Sequence, residues 1–321
     1  MEPENIRSCA KVSFYMSQIQ PIDAVVYHVL PDFIEHFFDE VSGSPIRVDG
    51  DLYTYEKQSK NIYWVKNIWN KPFIAEFDSI SDAATLLKNI QRNWAPYTYR
   101  LARRTHLIKE KLPYISDKPK PFTYFAPQTP MGSFTLIDEH HLLASASCSS
   151  PWPCGSIQFE EDHINPPGRA YRKLWEAFAL AQKLPQRGER CIDAGASPGS
   201  WTWVLASLGA EVLAIDRAPL APSIAALQGV TYLKHNAFTL KPESLGPVDW
   251  LFSDVICYPP ALYEWIAEWV EKKLAKNYIC TIKMQGKAWD AATTAKFANI
   301  PGSTVIHLHH NKHELTWMLL Q

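Results

Sequence analysis

No stretch of this 321-residue chain comes near the run of about 18 uncharged apolar residues that a membrane-spanning helix needs, so no spanning segment is expected. The opening "MEPENIRSCAKVSFYM" starts acidic and lacks the apolar core of a secretory leader, which argues against export. Six cysteines (Cys9, Cys148, Cys154, Cys191, Cys257, Cys280) are scattered without CxxC spacing or a disulfide ladder, and a reduced, cytoplasmic setting suits them. Charge of either sign is not in excess: 32 Lys and Arg against 33 Asp and Glu leave a net −1, so a polyanion must be held by a local basic patch rather than by the overall field. Internal repeats are missing, and so is the G-x-G-x-x-G of dinucleotide sites. Hydrophobic residues, at 46%, suffice for the cores of two domains.

Up to about residue 150 short strands and helices mix without a recognisable catalytic motif. The segment "SSPWPCGSIQFEEDHINPPGR" is rich in Pro and Gly, can continue neither a helix nor a central strand, and reads as a linker. The division therefore falls near residue 155, with one domain over 1–155 and a second over 156–321. From Arg169 the pattern becomes regular: helix "RAYRKLWEAFALAQKL", strand "RCIDAG", helix "WTWVLASLG", strand "EVLAID", helix "LAPSIAALQ", strands "VTYLK" and "VDWLFSD", helix "ALYEWIAEWVEKKLAK", strand "NYICTIK" and helix "AWDAATTAKFANI". This alternation predicts an α/β, Rossmann-like, mostly parallel sheet covered on both faces. The end differs: "STVIHLHH" and "ELTWMLL" lie too close together for a helical crossover and are expected to pair as an antiparallel hairpin.

In such a sheet the ligand sits beyond the carboxyl ends of the strands, and the loop after the first strand lets backbone approach it. That loop here is "GASPGS". Gly195 and Gly199 suit a turn with unusual dihedrals, and the following helix aims free N–H groups at an anion. Their G-x-x-x-G spacing disfavours a pyrophosphate, whereas Asp216, 21 positions after Gly195, can accept both hydroxyls of a ribose. A nucleoside carrying a single carboxylate satisfies both features, and S-adenosyl-L-methionine is such a molecule. A plainer reading stays open, since Gly and Pro punctuate any strand-to-helix turn and an Asp after a strand often caps a helix. A parallel sheet closed by an antiparallel last strand resembles the S-adenosylmethionine-dependent methyltransferase fold, in which Asn236 falls where the adenine is touched. Trp201 and Trp203 either shield the site or belong to the helix core.

Lys173 lies in the first turns of a helix whose apolar stripe is Leu174, Ala177, Phe178, Ala181 and Leu184, and with Arg169 and Arg172 it opposes the macrodipole. Either its stem covers apolar surface with the head in water, or another charge rewards it. Asp254 ends one strand, Lys283 ends another and Glu314 opens the last, all at the edge to which the glycine loop points. Two lysines and two carboxylates there suit methylation of a ribose 2′-hydroxyl, too weak an acid to attack at neutral pH without a base. Lys283 is read as that base. Lys173 would lower its pKa by like-charge repulsion and stabilise the developing oxyanion, while Asp254 and Glu314 orient the ammonium groups. His307, His309, His310 and His313 carry no metal motif; strand alternation puts His307 and His309 on one face and His310 on the other, and no metal is expected.

Taken in order, "RAYRKLWEAF", "CIDAGASPGSWTW", "DWLFSD", "TIK" and "NKHELT" make residues 168–321 similar to the FtsJ-type RNA ribose 2′-O-methyltransferases, and within them to enzymes that methylate a cytidine of bacterial 23S ribosomal RNA. The resemblance implies a Lys-Asp-Lys-Glu tetrad at Lys173, Asp254, Lys283 and Glu314. It implies a cofactor site formed by Asp193, Gly195, Ser197, Pro198, Gly199, Ser200, Trp201, Asp216, Asn236 and Asp254. The sequence departs from the family where the usual Gly-Gly is Gly199-Ser200, where Asn236 replaces an Asp, and in "MQGKAW" after Lys283. The resemblance also implies an N-terminal α+β RNA-binding domain, THUMP-like on a ferredoxin-like core, with "FTLIDEHHLLASASCSSPWPCGSIQF" leading out of it, and ribosomal RNA or a precursor ribosomal particle as partner.

From Arg92 to Lys120 there are eight Lys or Arg against two acids, interleaved with Trp94, Tyr97, Tyr99 and Tyr114. Cations for phosphates and rings for stacking suit RNA, and Arg92, Arg100, Arg103, Arg104, Lys109 and Lys111 are the expected contacts, against the plainer reading of a solvated helix face. A monomer without membrane partners is expected. Two other functions compete: an RNA-binding accessory protein whose methyltransferase fold no longer catalyses, and a methyltransferase acting on another RNA or a small molecule.

Overall fold

The computed structural model describes residues 19–321; the opening segment read for export signals, with Cys9, lies outside them. The chain divides into two compact units, one comprising residues up to Pro119 with Ala126–Gln158, the other Lys120–Phe125 with Phe159–Gln321. Among the described residues no helix is long and apolar enough to cross a membrane, and Cys148, Cys154, Cys191, Cys257 and Cys280 are all free thiols.

The first unit is built on two sheets of short strands. β1 (Ile19–Pro21), β6 (Pro72–Glu76), β9 (His141–Ser145), β8 (Gly132–Leu136) and β7 (Trp94–Pro96) form one in that spatial order, antiparallel except for the β7–β8 pair. β3 (Arg47–Asp49), β4 (Leu52–Tyr55), β2 (Val25–Val29) and β5 (Val65–Trp69) form the other, antiparallel throughout. The unit also carries α1 (Ile34–Glu40), α2 (Ile80–Ile90) and α3 (Ala102–Lys111). Ser79 caps α2 by accepting from the Asp82 N–H. The helix then buries Ala83, Ala84, Leu86 and Leu87 in a core shared with Phe73, Phe77, Ile108 and Phe134. Trp94 sits in that same core at 2% exposure, with Nε1 donating to Leu87 O, so it is a packing residue and not a stacking platform for bases.

The second unit has the expected sheet. β10 (Arg190–Ala194), β11 (Glu211–Asp216), β12 (Val230–Lys234), β13 (Val248–Ser253), β14 (Ala275–Lys283), β15 (Ser303–Ile306) and β16 (Glu314–Leu319) lie in the order β12-β11-β10-β13-β14-β16-β15. Pairing is parallel as far as β14 and antiparallel for β16 and β15. Strand order reverses beside β10, opening a crevice at the carboxyl edge there. The helices are α4 (Tyr171–Ala181), α5 (Ser200–Ser207), α6 (Pro222–Ala225), α7 (Pro242–Leu245), α8 (Pro259–Glu271) and α9 (Ala291–Ala298). α4 lays Leu174 and Phe178 on the sheet, with the Phe178 ring edge-on to Trp250 and Phe252. Lys120 pairs with Phe159 in an isolated bridge, and Phe122 stacks on Trp175 at 4.8 Å, which ties residues 120–125 to this unit.

Two sequence expectations change. The helix read in "LAPSIAALQ" is only the four residues of α6, because Ile224 is its one buried side chain and a short helix needs more tertiary packing to persist. The strand read in "STVIHLHH" stops at Ile306. The histidines therefore do not alternate on a strand: His307, His309, His310 and His313 lie in the connection between β15 and β16.

Candidate active site

The carboxyl ends of β10, β11, β13 and β14 border a cavity of about 410 Å3, lined by the loop Gly195–Pro198, by Ser200 and Trp201 of α5, and by Asp193, Asp216, Asp254 and Lys283, with Ala170, Arg217, Ala218, Val255 and Ile256. The loop is shaped by its glycines. Gly195 has φ +80°, and a Cβ there would lie 2.5 Å from Val255 Cβ; Gly199 has φ +112° and a Cβ would meet Ile224. Asp216 holds the loop through its carboxylate, which accepts from Ser197 N (3.0 Å) and Ala218 N (2.8 Å). Trp201 belongs to both of its anticipated settings: it is 3% exposed, its Nε1 donates to Ala170 O, and it faces the cavity.

Asp193, expected in the cofactor site from the family resemblance, is part of this wall. It is fully buried, and Thr202 Oγ1 donates to its Oδ2 at 2.6 Å, while Oδ1 has no hydrogen-bond partner among the described residues. Burial, with the charges of Asp254 and Asp216 adding to it, pushes its pKa up to about 7. A buried carboxylate oxygen without a partner is costly to leave so, and a cationic donor at this end of the cavity would supply one. That vacancy fits the ammonium of an amino-acid moiety.

Beside the cavity four ionisable side chains from distant parts of the chain converge. Lys173 Nζ donates to Asp254 Oδ1 (2.7 Å) and Oδ2 (2.9 Å) and pairs with Glu314 Oε1 at 3.0 Å. Lys283 Nζ lies 3.1 Å from Asp254 Oδ1 and 3.8 Å from Glu314 Oε2. The fold fixes this meeting through register, because Lys283 of β14 stands directly opposite Glu314 of β16. Lys173 is 8% exposed, so its head does not lie in water. Burial works against its charge, but the Asp254 and Glu314 carboxylates outweigh that and hold its pKa above the ordinary lysine value. Of the two lysines only Lys283 faces the cavity.

Two supporting residues escaped the reading of the sequence. Thr281 Oγ1 donates to Asp254 Oδ1 at 2.7 Å; the signal was there, since Thr281 and Lys283 are two apart on one strand and so share a face. Glu176, buried and one turn beyond Lys173, accepts from the backbone N–H groups of His309 (2.8 Å) and His310 (3.0 Å) and meets His310 Nδ1 at 2.8 Å. α4 thus supplies Lys173 and also pins the connection that leads into Glu314.

Other anticipated residues stand elsewhere. Asn236 Oδ1 accepts from Phe238 N, capping a short turn after β12, and neither Asn236 nor Gly199 is among the residues lining the cavity. In the first unit Arg92, Arg100, Arg103, Lys109 and Lys111 are exposed. Arg100 Nη1 donates to Ile137 O, and Arg104 is half-buried over the Phe77 ring. Tyr99 donates to Asp49 Oδ1, whereas Tyr114 is 74% exposed. Among the described residues no group of three or more His, Cys, Asp or Glu is placed to hold a metal ion.

Comparison with known proteins finds matches in the second unit. Residues 167–293 match the family described as FtsJ-like methyltransferase, over about two fifths of the chain. Relatives similar to the chain include proteins named ribosomal RNA large subunit methyltransferase M. The protein of that name from Halorhodospira halophila is 32% identical over 191 residues, covering 56% of this chain and 54% of its own. That from Xanthomonas oryzae pv. oryzae (strain PXO99A) is 28% identical over 259 residues, covering 75% of this chain and 70% of its own. The chain thus spans about half the length of the first of these relatives. Among solved structures, a putative hemolysin from Streptococcus thermophilus aligns with TM-score 0.39 and 18% identity over 50% of this chain and 69% of that one, a likeness too distant to bear on function.

Proposed function

We propose that the protein transfers a methyl group from S-adenosylmethionine to a ribose 2′-hydroxyl of ribosomal RNA, a cytidine of the large-subunit RNA being the favoured target. The reading is carried by the Lys173–Asp254–Lys283–Glu314 cluster, of which Asp254 and Lys283 line the cavity. S-adenosylmethionine, when bound, supplies a methyl group on a cationic sulfur. Asp216 would accept the hydroxyls of its ribose and Asp193 the ammonium, while Gly195 lets the loop pass against Val255. A lysine can take a proton only when uncharged. Lys173, held charged between two carboxylates, is excluded, which leaves Lys283 to receive the 2′-hydroxyl proton as the oxygen attacks. Lys173 then stabilises the developing negative oxygen, and Asp254 and Glu314 keep both amines in place.

The first unit is assigned the RNA-presenting role of a THUMP-like domain, through exposed Arg103, Lys109 and Lys111, with the protein working in the cytoplasm where its RNA is made. Arg103→Glu/Lys109→Glu is expected to weaken RNA binding and to flatten its log–log salt dependence by about one to two, with cofactor binding unchanged. An unaltered salt slope removes α3 from the RNA contact surface. The reading as a whole is tested with an unmodified large-subunit RNA transcript and labelled S-adenosylmethionine: ribose-linked label is expected. RNA affinity without any cofactor binding would reinstate the accessory protein instead.

Asp193 gives the site a pH dependence. The folded protein keeps the Asp193 proton up to about pH 7, whereas the unfolded chain releases it near 3.8. Its contribution to stability is therefore complete below the unfolded value and is lost as pH rises through about 7. An ammonium prefers the ionised carboxylate, so affinity for S-adenosylmethionine is expected to rise between pH 6 and 8, about tenfold per unit at most. Asp193→Asn, which can still accept from Thr202, should bind more weakly and with a flat profile in calorimetric titrations. A native profile without a rise would reject the ammonium assignment.

A further inference from the structure

The loop that follows β13 has a feature that cofactor binding and proton transfer leave unused. Its residues alternate between anchored and exposed. Val255 packs under Gly195, the Cys257 carbonyl accepts from Gln285 Nε2 at 3.3 Å, and Pro259 is buried at the start of α8. Between these anchors Ile256 and Tyr258 stand 75% and 72% exposed. Single exposed apolar residues are ordinary, but two of them two positions apart on a pinned loop offer a ledge, and such patches mark interaction surfaces. The ledge adjoins the reacting groups: Ile256 lines the cavity together with Asp254 and Lys283. Exposed Lys287, on the segment tied to this loop through Gln285, adds a cation for a phosphate.

We propose that Tyr258, with Ile256 beside it, is the stacking surface for an unstacked nucleobase of the RNA substrate, the base next to or belonging to the ribose that is methylated. This rests on the RNA methyltransferase reading and deepens it. A ribose whose 2′-oxygen meets Lys283 carries its base one carbon away, at C1′, so that base must lie on the wall immediately around the cavity. The glycine loop and Asp216 occupy one side for the cofactor, and the β13 loop is the apolar side left. Every base offers a π-face, so such a ledge holds the nucleotide without reading its identity.

The test uses the full chain, an unmodified large-subunit RNA transcript and S-adenosylmethionine. Tyr258→Ala is expected to raise the KM for RNA about tenfold, the loss of one stacked base, with the Kd for S-adenosylmethionine unchanged. Tyr258→Phe, which keeps the ring, should stay within about threefold of the native KM. Transcripts carrying 5-iodocytidine should photo-crosslink to Tyr258. An unchanged KM in Tyr258→Ala, or equal damage from Tyr258→Phe, overturns the ledge while native methylation leaves the wider reading intact. Native protein that binds cofactor yet methylates no RNA overturns both.

Discussion

Lys283→Met is expected to bind S-adenosylmethionine as the native protein does and to methylate RNA at least about 100-fold more slowly. Methionine keeps the length and apolar stem of lysine and removes only the amine, so the change isolates proton transfer. Lys283 is 18% exposed and lies at the rim of the ion cluster, 3.1 Å from its nearest carboxylate oxygen, where its loss leaves Lys173 still paired with Asp254 and Glu314. Folding should therefore survive, and the measurement is the ratio of single-turnover rates at equal cofactor occupancy. A variant that turns over within threefold of native would strip Lys283 of the role of base.

Lys173→Met should produce the largest loss of stability of any single change at the site, about 3–5 kcal/mol, because the buried Glu314 and the part-buried Asp254 lose their strongest counter-charge. Lys173 makes contacts of 2.7, 2.9 and 3.0 Å to Asp254 and Glu314, and Glu314 is only 6% exposed. The remaining lysine cannot replace it, being held at 3.1 and 3.8 Å from the same two groups. Since the Lys173 pKa is raised, its stabilisation is present throughout the neutral range and fades only above the ordinary lysine value. Urea titration at pH 7.5 reads this as a lower midpoint for the second unit. A midpoint equal to that of Lys283→Met would mean that the two lysines are interchangeable, against the geometry.

The contrast between the two units explains what could be read in the sequence. In the second unit, strands buried on both faces write themselves as short apolar runs, such as Tyr278 to Ile282, and the charged residues closing them stand out against that background. Lys283, Asp254 and Glu314 were visible for this reason, and the last parallel-to-antiparallel step put Lys283 and Glu314 at one edge. Contacts made across the chain were not visible. Glu176 reads as a polar position on an amphipathic helix until the His309–His310 connection folds over it, and Asp193, placed in the cofactor site by resemblance alone, shows its buried, partnerless Oδ1 only in the structure. Asn236 was placed beside the adenine by resemblance of fold, and its Oδ1 also accepts from Phe238 N to cap a turn, a local contact that the sequence did not announce. The first unit hid its architecture because β1, β3 and β7 have three residues each, β1 pairs with the distant β6, and β7–β8 is parallel. There, periodicity over so few residues cannot distinguish Trp94 in the core from a ring offered to RNA.

The strap formed by Lys120–Phe125 makes the two units topologically inseparable by one scission. Proteolysis or gene truncation after Gln158 releases a carboxyl-terminal piece lacking Phe122, and so bares a face of Trp175, on the same helix as Lys173 and Glu176. Transplanting the catalytic half into another protein accordingly requires carrying two separate stretches of chain, a constraint on modular shuffling that a beads-on-a-string arrangement would not impose.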